Sequence, residues 1–73
     1  MDTINKRERF KRLAELRANR VLKDIHLIGN LSNKNNYLYD DEEVDLIFSA
    51  IKKELRKAEN KFYNNNRTEN IKL

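Results

Sequence analysis

The stretch VLKDIHLIGNLSNKNNYLYDDEEVDLIFSAI, from Val21 to Ile51, places a polar loop between two apolar stripes, and its reading decides the fold. Counted outward from the loop, Ile28 pairs with Val44, Ile25 with Ile47 and Val21 with Ile51. The match continues beyond the quoted stretch, where Ala14 meets Ala58 and Phe10 meets Phe62. Two antiparallel helices joined by a short connection bury one seam in this way. The expected fold class is therefore all-α, an antiparallel two-helix hairpin. Ala14 against Ala58 is the expected point of closest approach, because neither methyl group holds the backbones apart. One seam encloses no pocket, and a general acid–base pair needs titratable groups meeting in a water-poor cleft. The chain is accordingly read as a non-enzyme.

The first helix is expected over about residues 4–28. Thr3 is a candidate N-cap, and Gly29 stands where a helix end favours a left-handed residue. Phe10, Ala14, Arg17, Ala18, Val21, Leu22, Ile25 and Ile28 fall in one arc of roughly 140°. Leu16 and Leu27 lie on the far side, either by chance or as a second contact surface. Residues 29–40 read as a loop, since Asn and Ser side chains compete for backbone hydrogen bonds. Asp40 or Asp41 caps the next helix, with Glu43 three residues after Asp40 as in a capping box. That helix is expected over about residues 41–62. There Val44, Ile47, Phe48, Ile51, Leu55, Ala58 and Phe62 keep the helical i, i+3, i+4, i+7 spacing. Residues 64–73 lose the periodicity and are expected to form a flexible polar tail, so the hairpin domain occupies 1–63.

Seventy-three residues bound the chain to one small domain. So short a chain buries only about 60% of its unfolded surface. There is no cysteine and one histidine, which removes disulfides and leaves a zinc site dependent on carboxylates. No metal or cofactor is expected. The remaining source of stability is assembly, so the first expected partner is the protein itself, as a helical-bundle homo-oligomer. Charged residues make up 38% of the chain and there is no proline, a composition of long helices. No apolar run approaches the roughly 18 residues of a membrane span. The basic N-terminus lacks the apolar stretch of a secretory signal, so a cytoplasmic protein without a membrane partner is expected.

Charge is sorted along the chain. Residues 1–23 carry eight Lys/Arg and three Asp/Glu, 24–49 carry one and six, and 50–73 carry seven and three. The net charges are thus +5, −5 and +4. A hairpin would bring the two basic segments together and leave an acidic rim at the loop. Three readings remain open. One is a solvated charged surface; another is association of one subunit's acidic rim with the next one's basic end. The third is a surface for nucleic acid or a phosphate-bearing ligand, built from Lys6, Arg7, Arg9, Lys11, Arg12, Arg20, Lys53, Arg56 and Lys57. No helix-turn-helix or zinc-finger pattern accompanies these residues, so base-specific reading of DNA has no support.

Arg17 sits within the apolar arc. It either snorkels to an acidic neighbour or offers its guanidinium to a phosphate at an oligomer axis. His26 lies beside the loop, as a surface residue or a ligand contact. In and around the loop, Asn30, Asn33 and Asn36 offer donors and acceptors, Lys34 a charge, and Tyr37 and Tyr39 flat faces for a base. These are candidate ligand-binding residues. Asparagine-rich loops also arise simply from A/T-rich coding sequence, and tyrosines at a hairpin bend often just cap the core.

Arg17-Ala18-Asn19-Arg20, the run from Leu27-Ile28-Gly29-Asn30 to Leu31-Ser32-Asn33, Tyr37-Leu38-Tyr39 and Phe48-Ser49-Ala50-Ile51 carry a resemblance. Over roughly residues 9–62 the chain resembles small helical proteins of uncharacterised function carried by bacteria, phages and mobile elements. The resemblance brings no catalytic motif. It implies action by binding: occupying nucleic acid, sequestering a nucleotide signal as an oligomeric sponge, or blocking a host defence protein. The leading expectation is an oligomeric binder of an anionic nucleotide-type ligand. A protein-binding inhibitor and a structural or regulatory accessory protein without ligand are the alternatives.

Overall fold

The computed structural model describes the backbone of residues 2–66 and the side chains of residues 3–64. It holds two helices, α1 over Asp2–Asn30 and α2 over Asp41–Asn66, and no strand among the described residues. The chain divides into two units, one containing α1 and ending at Leu38, the other containing α2 and beginning at Tyr39.

Helix α1 spans 29 residues, about 44 Å at 1.5 Å per residue. It is longer than its sequence signals indicate. Thr3 lies inside the first turn rather than capping it, and the helix takes in Gly29 and Asn30. Gly29 is not left-handed, since no glycine among the described residues has a positive φ. The exit from α1 shows why none is needed. The Leu31 amide donates to the Ile28 carbonyl at 3.0 Å, and the Ser32 amide to the Gly29 carbonyl at 3.1 Å. Such i→i+3 bonds tighten the last turn and occupy carbonyls that a left-handed cap would otherwise satisfy.

The connection is organised by Asn33. Its carbonyl accepts from the amides of Asn36 at 3.1 Å and Tyr37 at 3.0 Å. Its side-chain Oδ1 accepts from the Asn35 amide at 3.0 Å, an Asx turn. The chain then enters α2 through a reciprocal capping box. Asp40 Oδ1 accepts from the Glu43 amide at 2.8 Å, and Glu43 Oε1 accepts from the Asp40 amide at 3.0 Å. The Asp40 carbonyl takes the first helical bond, from the Val44 amide at 3.2 Å, which makes Asp40 the N-cap and Asp41 the first helical residue. Asp41, Glu42 and Glu43 complement the positive end of the helix dipole.

Helix α2 continues through Asn66, four residues past its expected end. Residues 64–66, assigned to a polar tail from the sequence, are helical; the rest of that tail lies outside the described residues. No glycine or proline follows Phe62 to stop the helix, and extending it through asparagine costs at most about 0.7 kcal/mol per residue. Among the described residues none is buried. On α1, Leu13, Ala14 and Ile28 are half-buried; on α2, Val44, Phe48 and Ile51 are. Leu13 lies outside the arc read from the sequence. Phe10, Val21 and Ile25 on α1, and Ile47, Leu55 and Phe62 on α2, stay exposed. Each helix therefore carries an apolar stripe whose large side chains remain largely exposed.

Candidate functional site

Helix geometry sorts the basic side chains. At about 100° per residue, Arg9, Arg12, Arg20 and Lys23 fall within about 80° of one another on α1, opposite the apolar stripe. Arg9 and Arg20 are eleven residues apart, as are Arg12 and Lys23, and eleven residues bring a helix back to nearly the same side. All four are exposed. Leu16 and Leu27 fall within the same arc, 53% and 49% exposed. The far-side leucines thus lie among cations. Lys23 was not among the residues singled out from the sequence; its spacing from Arg12 was the signal that would have found it.

On α2, Lys53, Arg56 and Lys57 occupy an arc of about 100° that faces away from the apolar stripe. They too are exposed, and Leu46 lies among them, 72% exposed. Both helices therefore have the same two-sided build. Lys6 lies between the two arcs, nearer the apolar one, and Arg17 at the edge of the apolar arc. Arg7 and Lys11 lie within or beside the apolar arc instead. A shallow surface depression on α1 is lined by Glu8, Lys11, Arg12, Glu15, Leu16 and Asn19. There an anion would meet Glu8 and Glu15 as well as the two cations, so this depression is a poorer anion site than the arc beside it.

The connection presents a different surface. Asn30 belongs to the last turn of α1 rather than to the loop, and His26 lies one turn before it. Both are exposed, as are Asn33, Lys34, Asn36 and Tyr37. Tyr39 is half-buried. Asn33 Oδ1 already accepts the Asn35 amide, so this side chain shapes the turn. Leu38 stands fully exposed between the two tyrosines.

Among the described residues no group of three or more His, Cys, Asp or Glu is placed to hold a metal ion. No helix among them is long and apolar enough to cross a membrane. Comparison with protein-family models, with curated proteins and with solved structures finds no match for this chain.

Proposed function

We propose that this protein is a non-enzymatic, self-associating helical binder of an anionic, nucleotide-type ligand, with nucleic acid favoured over a single small nucleotide. The observation that carries the reading is the row Arg9, Arg12, Arg20 and Lys23 on one exposed face of α1. From Arg9 to Lys23 the row runs about 21 Å along the helix. Duplex DNA presents one phosphate charge per roughly 1.7 Å of its axis, so such a row meets many phosphates at once. A single small nucleotide is too short to engage its two ends together. On α2, Lys53, Arg56 and Lys57 form an exposed cationic arc of their own that suits the same class of ligand, while Arg17, His26, Asn36 and Tyr37 are candidates to contact bases or a smaller ligand. A bacterial, phage or mobile-element setting and a counter-defence role suit a small binder of this type.

The test is binding to a short DNA duplex across a salt series. Affinity should fall steeply as salt rises, and Arg9→Ala with Arg20→Ala should flatten the dependence. Salt-independent binding, or none, would remove nucleic acid from the reading. A melting temperature raised instead by a small nucleotide would move the site to the connection. The second reading is a protein-binding inhibitor, favoured by Leu16 and Leu27 standing exposed in the basic arc.

A further inference from the structure

We propose that α2 pairs with α2 of a second copy as an antiparallel coiled coil, staggered by one heptad from full overlap. The inference rests on the self-association in the function proposed above, and names its face and register. From Val44 to Phe62 the positions Val44, Phe48, Ile51, Leu55, Ala58 and Phe62 alternate spacings of four and three without a break. That is a heptad seam, with Val44, Ile51 and Ala58 at d and Phe48, Leu55 and Phe62 at a. Leu55 is 62% exposed in the single copy, and none of the described seam residues is buried.

The residues flanking the seam select the partner's orientation. One flank carries Asp45, Lys52 and Glu59, and the other Ile47, Glu54 and Lys61. In a parallel pair each flank faces the opposite flank of the partner, five residues further on. Glu54 would then meet the partner's Glu59 on both sides, acid against acid. An antiparallel pair sets like flanks against each other. With full overlap, Lys52 meets the partner's Lys52, Glu54 the partner's Glu54, and Asp45 the partner's Glu59, all like-charged. Sliding the helices one heptad so that their C-terminal halves overlap changes every pair. Lys52 then faces the partner's Glu59 and Glu54 faces the partner's Lys61, each twice by symmetry. Ile51 packs on the partner's Phe62 and Leu55 on the partner's Ala58. The opposite stagger provides only Asp45 against the partner's Lys52, twice. Among these four pairings with a second copy, the charges favour the register that overlaps Ile51 to Phe62.

Sedimentation equilibrium of the full chain, with helicity checked by circular dichroism, tests this. The unmodified protein should form a concentration-dependent dimer. Glu59→Lys should weaken it roughly tenfold, because two opposite pairs become like pairs. Lys52→Glu/Glu59→Lys should restore it, and Lys61→Glu, as an independent second variant, should weaken it. Glu59→Lys would instead tighten a parallel or fully overlapped dimer, and would leave the opposite stagger unchanged; either result overturns the register while self-association stands. A single copy at every concentration, as when α1 of the same chain covers the seam, overturns the register and the self-association together. The salt-dependent DNA binding is measured separately and survives or fails by itself.

Discussion

Asp40 and Glu43 each accept the other's backbone amide, at 2.8 and 3.0 Å, and so satisfy two donors at the entrance to α2 that have no partner within the helix. Asp40→Ala should cost about 1 kcal/mol of α2 stability, read as reduced helicity and a lower melting temperature. Gly29 lies at the other end of the connection, inside α1, with nothing within 4 Å of where a Cβ would stand. Its φ is not positive, so a side chain adds no strain. Gly29→Ala should therefore stabilise α1 by roughly 0.5–1 kcal/mol, since glycine loses the most backbone freedom on entering a helix. A lower melting temperature for that variant would mean that residue 29 takes a left-handed cap in solution. Asn33 combines a carbonyl that accepts two amides with a side chain that accepts a third. These three bonds make Asn33 the residue that shapes the turn.

Each helix has an apolar stripe on one side and cations on the other. On α1 the cations Arg9, Arg12, Arg20 and Lys23 are exposed, and a charge there gains most from a long polyanion that spans all of them. Arg9→Ala/Arg20→Ala should reduce the salt slope of DNA binding by about 2, one unit for each phosphate no longer neutralised, and leave helicity unchanged. Arg7→Ala, from the apolar side of α1, should change that slope little. On α2 the stripe is narrower and its flanks alternate in sign, the pattern by which coiled coils select register.

For the molecule as a whole, the decisive quantity is apolar surface. No described residue is buried, and large side chains such as Phe62, 58% exposed, keep most of their contact with water. A short chain without cysteine has little margin to leave that area uncovered. The melting temperature should therefore rise with protein concentration, as linkage to assembly requires. Phe62→Ala should lower it in proportion to how far that ring is covered in the assembly, with about 3–5 kcal/mol as the limit for full burial. A melting temperature independent of concentration, with Phe62→Ala neutral, would count against assembly through this stripe.

The all-helical class, the two elements, the Asp40–Glu43 box and the acidic start of α2 were legible in the residues because each depends on partners within four positions. The helix ends were not. Thr3, Gly29 and Asn64 carry the ordinary marks of a boundary, yet the structure runs helix through all three. A boundary is settled by a few tenths of a kcal/mol, and two i→i+3 bonds after Ile28 outweigh the preference of Gly29 for a left-handed turn. The basic arc was half-legible: its members were in view, but their common face, with Lys23 and two exposed leucines, followed only once α1 proved continuous from Asp2 to Asn30. Composition and periodicity determined the helical class and the two apolar stripes. The three-dimensional structure decided which side chains share a surface, because a helix brings together residues eleven apart that the sequence holds far from one another.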